Sequence, residues 1–121
     1  MSKQSLLYID DEPSNLLLFK VLFSDSFDVT TCDSGKAALE ILKLNEGNFV
    51  YLVTDLSMPE MDGFELLEIV KKNYPNIQRY ILTAHLENDK IRHAIQTGLA
   101  IKGFRKVMNP EDMIKQILQH L

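Results

Sequence analysis

The sequence predicts an α/β protein in which five helices cover a doubly wound, five-stranded parallel sheet. Short apolar runs alternate five times with segments of helical period along the 121 residues. That alternation is typical of right-handed βαβ crossovers, which bury a parallel sheet between two layers of helices. In addition, four of the apolar runs end at a polar residue, as buried strands do at the rim of a sheet.

The first half of the chain contains three predicted strands and two predicted helices. The strands are residues 5–9, 27–32 and 49–54, and the third is the most apolar. The first helix has Pro13 in its first turn, with Asp11 or Glu12 as its cap, and ends near Ser24. Its predicted inward stripe consists of Leu16, Leu17, Phe19, Val21, Leu22 and Phe23. The second helix is capped by residues 33–34, ends near Leu44 and is stopped by residues 45–48.

The second half contains two more strands and three helices. A helix over 64–73 is predicted to turn Phe64, Leu67, Val70 and the stem of Lys71 inward, and a strand follows over 78–83. A helix over roughly 87–97 ends at Gly98, with an inward side made by Ile91, Ala94 and Ile95. The fifth strand, about 100–104, is interrupted by Lys102 and Gly103, which suits a sheet edge. The last helix is capped by Asn109, begins at Pro110, and has the stripe Met113, Ile114, Ile117, Leu118 and Leu121.

Composition limits the classes of function. A hydrophobic content of 45% with 25% charged residues is ordinary for one soluble globular domain, here residues 1–121. The net charge of −4 argues against direct binding of nucleic acid. The longest apolar stretch is far shorter than a membrane span, and the first acids come too early for a signal peptide, so we expect a cytoplasmic protein. The one cysteine, Cys32, is expected to be a small buried residue.

Chemically useful residues close four of the five apolar runs. The pair Asp10 and Asp11 follows the first, Asp55 the third, Thr83 ends the fourth and Lys106 follows the fifth. Because ligands bind at the carboxyl ends of parallel strands, these side chains predict one magnesium-dependent phosphoryl site. Each has a plainer interpretation: a helix cap for Asp11, a turn cap for Asp55, a strand former in Thr83 and a solvated lysine. A cap needs only one acid, which leaves the second acid of the pair unexplained.

Three strings in the sequence carry a resemblance to a known family. They are YIDDEP at 8–13, TDLSMPEMDG at 54–63 and ILTA at 81–84. Together they resemble the receiver domain of two-component response regulators, over essentially the whole chain. The resemblance implies a flavodoxin-like sheet with strand order 2-1-3-4-5. It also implies that Pro59 and Gly63 shape the loop after Asp55, with Gly63 supplying backbone angles that other residues avoid.

The resemblance assigns a role to each site residue. It makes Asp55 the acceptor of a phosphoryl group from a phosphohistidine, with slow later hydrolysis and no turnover of an external substrate. Asp11, Asp55 and the backbone carbonyl of Ser57 would hold Mg²⁺, and Asp10 would hold a metal-bound water. Thr83 and Lys106 would contact the phosphoryl group. Positions equivalent to Ser57 and His85 tune phosphoryl lifetime in such domains.

The implied partners are a sensor histidine kinase or a phosphotransfer protein. An output domain or a second copy would bind through the fourth helix, fifth strand and fifth helix.

Two positions depart from the family pattern, and one assignment has a rival. Gly103 stands where an aromatic residue is usual, and Val107 where a proline joined by a cis bond is usual. Arg105 competes with Lys106 for the lysine role if the fifth strand is shifted by one residue, and the spacing from Gly98 favours Lys106.

Two other functions compete with a phosphorylation switch. Gly103 and Val107 motivate the first, a degenerate receiver that binds partners without phosphorylation. The second is a phosphohydrolase of the haloacid-dehalogenase type. It ranks last because residues 55–57 lack a second acid and the chain has no room for a cap domain.

Overall fold

A five-stranded parallel sheet forms the centre of the structure, a computed structural model that describes residues 3–106 and 109–119. The strands are β1 (Gln4–Ile9), β2 (Phe27–Cys32), β3 (Phe49–Thr54), β4 (Gln78–Thr83) and β5 (Lys102–Arg105). They lie in the order β2-β1-β3-β4-β5, and every neighbouring pair is parallel. The predicted fold class, strand order and edge position of β5 are therefore confirmed.

Five helices cover the two faces of this sheet. They are α1 (Pro13–Phe23), α2 (Gly35–Leu44), α3 (Gly63–Asn73), α4 (Asp89–Gln96) and α5 (Pro110–Leu118). Buried side chains of α2, α3 and α4 share one core cluster with Leu7, Ile9, Leu52 and Ile81 of the sheet. Those of α1 and α5 share the other, with Leu6, Tyr8, Val53 and Leu82. Neighbouring strand residues thus point to opposite cores, as the period of two requires.

The inward face of α1 is narrower than the sequence predicts. Of the expected stripe, Phe19 and Phe23 are buried and stack ring on ring at 4.0 Å. Leu17, Val21 and Leu22 are exposed, at 68%, 67% and 42%. The prediction for these three is wrong because α1 is apolar nearly all round, and a helix lying on a sheet can bury only one side.

The fourth helix and fifth strand are also shifted from the prediction. Asn88 caps α4 by accepting from the Lys90 amide, which excludes residue 87 from the helix. Ile95 was expected inward but is 36% exposed. In β5, Lys102 and Gly103 form the first half of the strand and do not interrupt it, because both pair with β4. The prediction that Leu118 faces inward is wrong as well, since it is 44% exposed, and Leu121 lies outside the described residues.

Cys32 has the buried place that the sequence predicts at the end of β2. Burial raises the pKa of its thiol to about 12, which keeps it protonated and unreactive at neutral pH.

Candidate functional site

Main-chain hydrogen bonds bring the predicted site residues to one edge of the sheet. The Asp55 amide donates to the Ile9 carbonyl at 2.9 Å, so Asp55 sits beside the end of β1. The Lys106 amide donates to the Thr83 carbonyl at 2.8 Å, so Lys106 sits beside the end of β4. Each bond extends a strand ladder by one residue beyond the strands. The backbone, and not a flexible loop, therefore fixes where these side chains start.

Three carboxylates cluster at this edge. One oxygen from each of Asp10, Asp11 and Asp55 lies within 4.8 Å of the other two. Asp10 is completely buried and Asp55 is 7% exposed. The N-cap of α1 is Glu12, without a side-chain cap bond, and its amide donates to Asp10 Oδ1 at 3.0 Å. Asp11 is thus not the helix cap, which leaves its carboxylate to the cluster.

Lys106 supplies the positive charge of the site. Its Nζ donates to Asp10 Oδ2 at 2.8 Å and to Asp55 Oδ2 at 3.0 Å. Arg105 points elsewhere and forms an exposed ion pair with Glu87 at 3.2 Å. The structure therefore places Lys106, and not its rival Arg105, against the carboxylates.

Asp10 is also held by two side chains that the sequence analysis missed. The Tyr8 hydroxyl donates to Asp10 Oδ2 at 2.7 Å, and Asn15 Nδ2 donates to the same oxygen at 3.2 Å. Tyr8 stands two residues before Asp10, a spacing that puts both on one side of an extended chain. That spacing was the available signal for Tyr8. Asn15 lies one turn into α1 and gives no comparable signal.

Opposing influences set the pKa values of this network. Burial alone would raise the pKa of Asp10, but hydrogen bonds from Lys106, Tyr8 and the Glu12 amide outweigh it and lower that pKa. Burial alone would lower the pKa of Lys106, but its hydrogen bonds to Asp10 and Asp55, with the charges of both acids, raise it. Both directions favour a carboxylate beside an ammonium at neutral pH.

Hydrogen bonds to both carboxylate oxygens hold Asp55, the candidate phosphoacceptor, in place. Asp55 Oδ1 accepts from the Leu56 amide at 2.7 Å, and Oδ2 accepts from Lys106. The Gly63 amide donates to the Leu56 carbonyl at 3.0 Å, which closes the loop after β3 back onto its start. Both carboxylate oxygens of Asp55 therefore have fixed partners.

Gly63 is required for a different reason from the one predicted. Among the described residues, the glycines with positive φ are Gly47 and Gly98. Gly63 is not one of them, so the prediction of unusual backbone angles is wrong. A Cβ at Gly63 would lie 2.3 Å from the Asp55 carbonyl oxygen and 2.8 Å from Leu56 Cα. The position requires glycine because backbone atoms of Asp55 and Leu56 occupy the space that a Cβ would need.

We expect Gly63→Ala to destabilise the protein by about 1–3 kcal/mol and to weaken divalent-cation binding, because the loop can move only by shifting Asp55. Gly47→Ala is the control: φ is +82° there and nothing lies within 4 Å of the new Cβ, so it introduces backbone strain without a clash. Denaturant unfolding with and without Mg²⁺ measures both effects. Unchanged cation binding in Gly63→Ala would contradict the explanation.

The remaining predicted residues lie around the mouth of the site. Thr83 is 7% exposed, and its Oγ1 accepts from the His85 amide at 3.4 Å. Ser57 and His85 are exposed, each two residues beyond a strand-end site residue. Val107, which stands where the family usually has a proline joined by a cis bond, lies outside the described residues.

The donor set fits a hard divalent cation. Carboxylate oxygens are the ligands that such cations prefer, and here three acid groups face one ammonium. Clustered carboxylates repel each other unless a cation screens them. Asp10, Asp11 and Asp55 are therefore the residues that could hold a metal ion.

Comparison with known proteins identifies the family to which this arrangement belongs. The sequence pattern of the response regulator receiver domain matches residues 6–118. The chain belongs to this family. As a receiver domain it is a signalling domain and not an enzyme that turns over a substrate. Receiver domains interact with histidine kinases or phosphotransfer proteins.

Similar proteins occur in plants and bacteria. The receiver domain is 32% identical over 119 residues to the two-component response regulator ORR26 of Oryza sativa subsp. japonica, covering 96% of this chain and 20% of that protein. It is 36% identical over 111 residues to ORR3 of Oryza sativa subsp. indica, covering 89% and 83%. A solved response regulator receiver domain protein from Clostridium thermocellum superposes with a TM-score of 0.88 at 31% identity, covering 96% and 92%.

The matched relatives differ greatly in length. This receiver domain spans 16–22% of the length of five of its curated relatives. Across the part of the chain that the structure describes, each helix is too short or too polar to cross a membrane.

Proposed function

We propose that this receiver domain is a phosphorylation switch in which Asp55 accepts the phosphoryl group of a phosphohistidine. An Asp55 carboxylate oxygen forms the new bond to phosphorus as the donor's P–N bond breaks. The electron pair of the P–N bond stays with the imidazole nitrogen. The product is an aspartyl phosphate, which water later cleaves slowly. One observation carries the proposal: Lys106 bridges Asp10 and Asp55 inside a cluster of three carboxylates.

The proposed cofactor is Mg²⁺, held by Asp11, Asp55 and the Ser57 backbone carbonyl, with Asp10 holding a metal-bound water. Such a cation, when bound, offsets negative charge between an acidic site and an incoming phosphoryl group. Asp10 suits an indirect role, because its two oxygens already accept from Tyr8, Asn15, Lys106 and the Glu12 amide. Asp11 is not among the described partners of Lys106, and one of its carboxylate oxygens lies in the same cluster.

Two further residues are proposed to respond to the phosphoryl group. Lys106 is proposed to pair with a phosphoryl oxygen, since its ammonium already touches Asp55. The Thr83 hydroxyl is proposed to turn from the His85 amide and donate to the phosphoryl group. The exposed positions of Ser57 and His85 suit the proposed role of tuning access of water to the aspartyl phosphate.

An exposed apolar surface beside the site supports a helical phosphodonor protein as the partner. Leu17, Leu18, Val21 and Leu22 of α1 are 42–68% exposed. A cleft of about 630 Å³ runs from Leu18 and Leu22 to Lys106 and Met113. A sensor histidine kinase or a phosphotransfer protein seated there would present its histidine to Asp55. The α4, β5 and α5 surface is proposed for an output domain or a second copy.

The degenerate alternative loses its support at the site itself. Its motivation is Gly103 and Val107; Gly103 carries no charged side chain, and Val107 lies outside the described residues. The three acids and the lysine that phosphate chemistry needs are all present and in contact range.

Beryllofluoride, a phosphoryl analogue, tests the function. We expect it to bind only together with Mg²⁺ and to shift the amide resonances of Leu56, Ala84 and His85. Mg²⁺ alone and beryllofluoride alone serve as the two controls. If the spectrum with both reagents were identical to the spectrum with Mg²⁺ alone, the proposed function would be refuted and the degenerate interaction module would be favoured instead.

A further inference from the structure

The side chain of Leu86 occupies space that Gly103 leaves open. A Cβ at Gly103 would lie 2.6 Å from Leu86 Cδ1, 3.6 Å from Ile91 Cγ2 and 3.9 Å from Ile95 Cδ1. Gly103 is buried and its φ is not in the left-handed region. Glycine at position 103 therefore makes room for Leu86 because it lacks a side chain, and not because its backbone adopts an unusual conformation.

Leu86 also lies between the site and α4. It is three residues after Thr83 and three before Asp89, in the β4–α4 loop of residues 84–88. The residues around it in that loop are exposed, whereas Leu86 is half-buried and packs on the core shared by α2, α3 and α4. A second tie of this loop to β5 is the exposed ion pair between Glu87 and Arg105, which contributes little in water. Leu86 is thus the main packed contact of the loop.

The loop is tied to Thr83 by a hydrogen bond that the proposed switch must break. Thr83 Oγ1 accepts from the His85 amide at 3.4 Å, next to Leu86 in the chain. When the hydroxyl turns toward a phosphoryl group, that amide loses its partner and the loop has to rearrange. A rearrangement of residue 85 moves Leu86 away from Gly103 or drives it against Ile91, the first buried side chain of α4.

We infer that Leu86 is a positioning residue: seated over Gly103, it holds the β4–α4 loop and Thr83 in the resting arrangement and transmits the movement of Thr83 to α4. The inference rests on the proposed function and deepens it. It names the side chain through which this receiver domain, with glycine at position 103, passes the signal to its surface. Loosening Leu86 should lower the cost of switching, because the resting arrangement loses its packed contact.

Binding of beryllofluoride in saturating Mg²⁺, followed by amide NMR, tests the inference. We expect Leu86→Ala to bind the analogue at least about five-fold more tightly, the lower end of typical coupling between sites. Its Mg²⁺ affinity should stay as in the wild type. The analogue should still shift His85 but no longer shift Ile91 and Ala94. Gly103→Ala should also tighten binding, since its Cβ displaces Leu86, and the double variant should bind no more tightly than either single variant.

Two matched variants separate this role from general loss of packing. Leu39→Ala removes another half-buried leucine, from α2, that packs on the same core, and it should leave analogue affinity unchanged. Leu86→Met preserves volume and should restore wild-type behaviour. Wild-type affinity and intact α4 shifts in both Leu86→Ala and Gly103→Ala would overturn the inference while the proposed function stands. No binding by the wild type would instead refute the proposed function.

Discussion

We expect Asp55→Asn to lose phosphorylation completely while the fold remains intact. Asparagine has no anionic oxygen to attack phosphorus, but its carbonyl can still accept from the Leu56 amide, as Asp55 Oδ1 does at 2.7 Å. The change also removes one of three clustered carboxylates, so in the absence of a divalent cation the variant should melt at or above the wild-type temperature. Incubation with acetyl phosphate and Mg²⁺, followed by intact-mass analysis, measures the loss.

The control for this variant is Asp62→Asn. Asp62 lies in the same loop but caps α3, where its side chain accepts from the Glu65 amide at 2.9 Å. Asparagine caps helices about as well as aspartate, so stability and phosphorylation should both persist. Uptake of a phosphoryl group by Asp55→Asn at the wild-type rate would remove Asp55 from the mechanism.

Lys106→Met should have opposite effects on the two ligands of the site. A charge-assisted hydrogen bond contributes about 1.5–3 kcal/mol, so loss of the ammonium should weaken beryllofluoride binding roughly 10- to 150-fold. Mg²⁺ binding should become tighter, because the ammonium that now neutralises Asp10 and Asp55 no longer competes for their oxygens. Methionine keeps an apolar stem of similar length. Separate titrations with Mg²⁺ alone and with both reagents measure the two changes.

Arg105→Met is the matched control for the lysine. Arg105 is the neighbouring cation, and its guanidinium meets Glu87 at the surface instead of the carboxylates. Both titrations should match the wild type. If Arg105→Met weakened analogue binding and Lys106→Met did not, the rival assignment of the sequence analysis would be correct.

Most of the fold could be predicted because turn-forming residues mark the ends of the segments that have strand-forming residues. The strand over 49–54 agrees with β3 to the residue, since apolar and β-branched residues lie between a turn-forming segment and Asp55. The parallel order then brings the strand ends together without further information. The Asp10, Asp55 and Lys106 side chains meet for that reason.

What could not be predicted depends on side-chain direction and tertiary contact. The apolar residues on all sides of α1 hide which of them face the sheet, so the exposure of Leu17 and Val21 appears only in three dimensions. The close approach of Gly63 to the Asp55 carbonyl depends on the path of a loop. The same holds for Leu86, whose place over Gly103 joins residues 17 positions apart in the sequence.

Reductive trapping of the phosphorylated protein tests the central claim most directly. Borohydride converts an aspartyl phosphate into homoserine and releases phosphate, so peptide mapping after treatment with acetyl phosphate and Mg²⁺ reports which residue carried the group. We predict homoserine at position 55 only when Mg²⁺ is present. A stable phosphoryl group on Ser57, Thr83 or His85, with Asp55 unchanged, would contradict the account.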